Sequence, residues 1–123
     1  MFHKITILLF LTICACTSFH CSKEVRWLLE DARLHETRHT SYDAMIAERL
    51  HSIADYLDNG EVSESQLAFD ILFIYKAKCS HQRNNNHWDK IWINRYDRII
   101  KRLLEIYKLK YKNERRKHRL QNW

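Results

Sequence analysis

HWDKIWINRYDRIIKRLLEIYKLKY, residues 87–111, is the stretch that decides the fold. Trp92, Tyr96, Ile99, Leu103 and Ile106 recur at alternating spacings of four and three, and Ile93, Ile100, Leu104, Tyr107 and Tyr111 widen this seam into a broad apolar face. A strand would alternate with a period of two, so the pattern predicts a helix with one side buried. Apolar patterning fades after Tyr111, but charged residues compatible with a helix continue, and the predicted helix runs from about His87 to Lys117. At 1.5 Å per residue it reaches about 45 Å, against about 25 Å for its neighbours, so its last turns should project past them.

Three shorter segments precede it. Val25, Leu28, Leu29 and Ala32 lie on one helical face, giving a first helix from about Ser22 to Thr37. Ile46, Leu50, Ile53 and Leu57 form a second stripe, with Thr40 and Ser41 as caps, Asp43 three residues after Thr40, and Asn59-Gly60 as its end. Ser63 with Gln66 opens a third segment, Leu67 to Tyr75, in which only Asp70 is polar; this run predicts a buried helix. A polar loop is expected from Cys79 to Asn86. With one Gly and no Pro, the chain lacks the residues that punctuate sheets and hairpins. The expected fold is all-α, a small four-helix bundle. Its connections, about four, four and eight residues long, suit up-down antiparallel neighbours. Residues 22–117 form one domain, 118–123 a basic tail end, and no internal repeat is apparent.

The first 18 residues read as an export signal instead of part of the fold. Lys4 supplies the positive start, Ile5 to Ile13 is apolar except for Thr6 and Thr12, and Cys14-Ala15-Cys16-Thr17-Ser18 offers small residues for processing. The apolar run is far shorter than the about 20 residues that span a bilayer. Ile13-Cys14-Ala15-Cys16 resembles a bacterial lipobox, which would make Cys16 a lipidated first residue and the product a periplasmic or outer-membrane lipoprotein; cleavage nearby without lipidation would give a free secreted protein. Cys21 and Cys79 are then the two thiols left in the mature chain, and an oxidising compartment predicts a disulfide between them.

Charge is concentrated at the C-terminal end. Residues 95 to 119 hold eleven Lys or Arg against Asp97, Glu105 and Glu114, whereas the whole chain carries a net +6. Lys110, Lys112, Arg115, Arg116, Lys117 and Arg119 are the candidate contacts for an anionic partner, either a protein or an anionic membrane surface. Export argues against nucleic acid as that partner.

One motif carries metal chemistry. In His35-Glu36-Thr37-Arg38-His39, two imidazoles one helical turn apart would face one metal, and Glu36 would activate its bound water. The motif resembles the signature of zincin metallopeptidases, which would make Glu36 the catalytic base. Leu34 to His39 also resembles the first helix of periplasmic metal-sensing helical proteins, implying metal binding by His35 and His39 without hydrolysis and a third ligand from Glu48 or His51. Glu48 and His51 in turn resemble the Glu-x-x-His pair of di-iron bundles, although the single inward Glu residues of that family have no counterpart here. Cys79, His81 and His87 are further donors if the disulfide does not form. No cofactor is expected; if the motif holds a metal, zinc or nickel suits it. Placed at a helix end, the same histidines complement the macrodipole without any metal.

The leading expectation is an exported, non-catalytic helical binding or adaptor protein acting through protein or surface contacts. The alternatives are a metal-binding protein or minimal zinc peptidase using His35 and His39, and a secreted cytokine-like ligand. Short connections disfavour the cytokine topology, which needs two long crossovers.

Overall fold

Four side chains start the four long helices by the same chemistry, each accepting from the backbone N–H three residues on: Ser22 from Val25, Thr40 from Asp43, Ser63 from Gln66 and Asn86 from Asp89. The computed structural model describes residues 21–84 and 86–121, though not the side chains of Asn113, Arg115 and His118. Its helices are α1 (Lys23–Glu36), α2 (Ser41–Leu57), α3 (Glu64–Asn84), α4 (His87–Tyr107) and α5 (Asn113–Gln121), with a π-turn over Lys108–Lys112. There is no strand among the described residues, and the four long helices pack as a small all-α bundle. The expected export signal and Cys16 lie outside the described residues.

Helix α1 packs along α2, α3 packs along α4, and α1 meets α4. The seam read from the sequence is the core: Trp92, Ile99 and Leu103 of α4 meet Leu28 of α1, Leu50 and Ile53 of α2, and Leu67 and Ile74 of α3, all at most 1% exposed. At the pole where α1 begins, Arg102 ties the start of α1 to the end of α2. Its guanidinium donates to Ser22 Oγ at 2.7 Å, Asp58 Oδ1 at 3.0 Å and the Leu57 carbonyl at 3.1 Å.

The long C-terminal helix differs from the uninterrupted one expected. The π-turn coincides with two contacts to the α2–α3 connection: Lys110 Nζ donates to the Gly60 carbonyl and Tyr111 OH to the Val62 carbonyl. A wider turn places both side chains on that loop. Gly60, at φ +70°, holds the left-handed turn that ends α2, a conformation in which any Cβ is strained. The polar stretch after Cys79 is also not a loop. It remains helical to Asn84, because His81 is anchored to Asp89 of α4 across a connection of only residues 85 and 86.

Cys21 and Cys79 are free thiols, and the expected bridge is absent. In up-down order α1 and α3 run parallel; Cys21 precedes α1 at one pole while Cys79 sits near the far end of α3, about 20 Å away along the bundle axis. A disulfide needs Cα atoms within about 7 Å.

The third helix is less buried than its sequence predicts. Leu67, Asp70 and Ile74 face inward, but Phe69, Leu72 and Tyr75 are 51%, 61% and 53% exposed. Helix α3 is apolar on both sides, and the bundle covers one of them.

An internal repeat emerges once the two helical hairpins are compared. The α1–α2 hairpin matches the α3–α4 hairpin at a constant offset of 46 positions (35 to 81, 43 to 89). It pairs His35 with His81, Thr40 with Asn86, Asp43 with Asp89, Ile53 with Ile99 and Leu57 with Leu103. Apart from these, most positions related by the offset differ, which is why inspection of the chain does not reveal it.

Candidate functional site

The repeat places two His–Asp pairs at one pole of the bundle. His35 ends α1 and its Nδ1 donates to Asp43 Oδ1 at 2.7 Å; His81 near the end of α3 donates from Nδ1 to Asp89 Oδ1 at 2.6 Å. Each aspartate sits three residues after the cap of its helix. That position aims the carboxylate back across the connection, within reach of the histidine eight residues earlier.

Both histidines line a cleft of about 430 Å³ to which all four long helices contribute. Asp31, buried in its wall, accepts from Tyr96 OH and lies 3.5 Å from His35 Nε2. A continuous polar chain therefore runs from Tyr96 through Asp31 and His35 to Asp43, which also accepts from Thr40 Oγ1 at 2.5 Å and lies 3.5 Å from Arg38. Trp88, Trp92, Tyr96 and His81 form a run of contacting rings beside it, with Trp88 edge-on to Trp92. Arg95 lies over the Trp92 ring at 4.8 Å.

These surroundings shift the carboxyl groups in opposite directions. Burial pushes Asp31 up, opposed by the Tyr96 hydrogen bond and the charges of His35, His81 and Arg38. Hydrogen bonds from Thr40 and His35 hold Asp43 down, and the bond from His81 does the same for Asp89. Burial and the Asp31 carboxylate push the Tyr96 phenol up. The signs follow by linkage. Asp43 and Asp89 bind protons less readily when folded, so their stabilisation is present above the usual carboxylate range and is lost as pH falls below about 4. Asp31 binds its proton more readily when folded, and its contribution is lost as pH rises. Urea denaturation between pH 2.5 and 6 should therefore show stability falling with acid. The fall should be shallower in Asp43→Asn or Asp89→Asn and steeper in Asp31→Asn; the same pH slope in all four proteins would refute this assignment.

The His-Glu-x-x-His segment is divided by the end of its helix. Helix α1 stops at Glu36 and His39 has φ +56°, so the two imidazoles do not stack one turn apart. His35 turns into the cleft, His39 is exposed, and Glu36 Oε1 accepts from His51 Nε2 at 2.7 Å across to α2. Glu48 is exposed. Among the described residues, no group of three or more His, Cys, Asp or Glu side chains is arranged to hold a metal. Asp70, the polar residue of the α3 run, is fully buried and accepts from Tyr56 OH at 2.6 Å and Gln66 Nε2 at 3.0 Å.

Of the basic candidates, Lys110 is committed to Gly60, while Lys112, Arg116, Lys117 and Arg119 are exposed and make no ion pair among the described residues. Leu109 and Leu120, 73% and 70% exposed, line a shallow groove with Arg116 and Lys117. No helix among the described residues is long and apolar enough to cross a membrane.

Reading the sequence singled out His35 for a different role and left Asp31, Asp89 and Tyr96 out of any site. The signal that finds the site is the repeated spacing, a cap, an Asp three residues later and a His eight residues before that Asp. Comparison with protein-family models, characterised proteins and solved structures finds no significant match.

Proposed function

We propose that this chain is an exported, non-catalytic helical binding protein that holds an acidic protein partner. The observation that supports the reading is the outward face of α3: Phe69, Leu72 and Tyr75 are each more than half exposed, and Met45 of the neighbouring α2 is 60% exposed. Leaving such side chains in water forfeits on the order of 1 kcal/mol each, and contiguous apolar surface of this kind is the usual mark of a protein contact. The ionic group seated on the stripe is a cation, Arg49, whose guanidinium lies 4.5 Å from the centre of the Phe69 ring. The exposed cations of α5 add a second region of the same sign, so a partner with acidic residues around an apolar ridge complements both.

A photo-crosslinking residue placed at Leu72, at Lys117 or at the exposed polar position Glu48 tests this in the cells that make the protein. The expected result is one protein adduct of common mass from positions 72 and 117 and none from 48, with Leu72→Asp abolishing the adduct at 117. Adducts confined to lipid at 117, with nothing at 72, would replace this reading with a membrane-surface one. Weighed intact, the mature chain in the same preparation should begin at Cys16 or within a few residues of it; retention of Met1 to Ile13 would remove the export assignment.

A further inference from the structure

The polar groups of the cleft at the His–Asp pole are unevenly committed. All three of its carboxylates have donors: Asp31 from Tyr96, Asp43 from His35 and Thr40, and Asp89 from His81 and the Asn86 N–H; His35 and Arg38 also lie 3.5 Å from Asp31 and Asp43 respectively. The N-terminal N–H groups of α2 and α4, which also open toward this pole, are capped by Thr40 and Asn86. On the α3 wall, by contrast, Lys76, Ser80 and Asn84 follow one another at four-residue spacing, and none of these side chains has a partner among the described residues. Lys76 is a pure donor, while Ser80 and Asn84 can serve as donors. The cleft therefore offers an unpaired positive charge and hydrogen-bond donors, while its carboxylates are already engaged.

The surface next to these donors is aromatic. Trp88 is 51% exposed at the rim, with its ring edge-on to the buried Trp92 at a centroid distance of 6.1 Å. A cation entering here meets Lys76 and Arg38, and a neutral polar ligand gains no charge-assisted contact from the ammonium, whereas an anion with a flat apolar body answers both features. The volume suits a small organic molecule. We infer that this cleft binds a small aromatic carboxylate, its ring lying against Trp88 and its carboxylate on Lys76, with Ser80 as a supporting donor. The inference does not rest on the protein-partner reading, which concerns the outward face of α3.

Titration of the full mature protein with phenylacetate, followed by tryptophan fluorescence and calorimetry, tests it, with phenylacetamide as the uncharged counterpart. Phenylacetate is expected to bind saturably at one per chain, and phenylacetamide at least about tenfold more weakly, the factor that corresponds to losing one charge-assisted contact. Lys76→Met should weaken the acid by about tenfold or more and leave the amide unchanged, while Trp88→Ala should weaken both alike. Lys76 is exposed, so its variants keep the fold; Lys76→Gln serves as the second substitution, and thermal melting verifies both. Equal affinity for acid and amide, an unchanged acid affinity in both Lys76 variants, or no saturation up to about 10 mM, the range of the weakest specific ligands, would overturn the proposal.

Discussion

Trp92→Ala is expected to lower the free energy of unfolding by about 3–5 kcal/mol, the range for truncating a large buried aromatic side chain. Trp92 is 1% exposed and belongs to the core shared by the four long helices; its ring contacts Trp88, Tyr96 and His81 and lies under the Arg95 guanidinium. Removing the indole leaves a cavity among the buried side chains of the shared core. A domain of this size has about 5–10 kcal/mol of stability in total, so the melting temperature should fall by roughly 15–30 °C. Leu72→Ala is the control. It removes an apolar side chain that is 61% exposed, and its effect should stay within about 0.5 kcal/mol. Urea denaturation of the two variants separates the cases; equal effects would mean that α3 is seated on the bundle by its other face.

Tyr56→Phe is expected to cost about 1.5–3 kcal/mol, because it removes a hydrogen bond to a charged group and leaves the Asp70 carboxylate, 0% exposed, with Gln66 as its remaining side-chain donor. Burial, together with the Asp70 hydrogen bond and charge, pushes the Tyr56 phenol up, so the hydroxyl stays protonated and donating throughout the accessible pH range. The pair joins α2 to α3, which lie on different hairpins. Truncating one partner strands the other, whereas Tyr56→Phe combined with Asp70→Leu removes both polar groups and fills the space with hydrocarbon. The double variant should therefore be less destabilised than the sum of the single changes by at least about 1 kcal/mol. Strict additivity in a double-mutant cycle would show that the two groups do not act as a pair.

The capped starts at Thr40 and Ser63, the 4,3 seam of α4 and the turn at Gly60 were legible in the chain because each is a local property. A cap satisfies N–H groups three residues away, a helical stripe repeats within a turn or two, and a left-handed turn selects glycine on the spot. The end of α1 within the His35 to His39 segment was legible for the same reason, since that stretch holds no apolar residue to continue the stripe. The candidate cleft was not legible in this way. Asp43 and Asp89 look like ordinary cap-box residues, and nothing in the neighbourhood of His81 announces that it equals His35 in the other hairpin.

Composition and periodicity by themselves determined an all-α chain, four long helices in antiparallel order, a core built on Trp92, Ile99 and Leu103, and a positive C-terminal end. Those are outcomes of backbone propensity and apolar spacing, which act over a few residues. Tertiary structure alone decided which side of α3 is covered, because a run that is apolar all round carries no phase; packing on α2 and α4 selected Leu67, Asp70 and Ile74 and left Phe69, Leu72 and Tyr75 outside. Tertiary structure also brought Asp31 to Tyr96 across 65 residues of chain, in a contact that exists only where two hairpins meet.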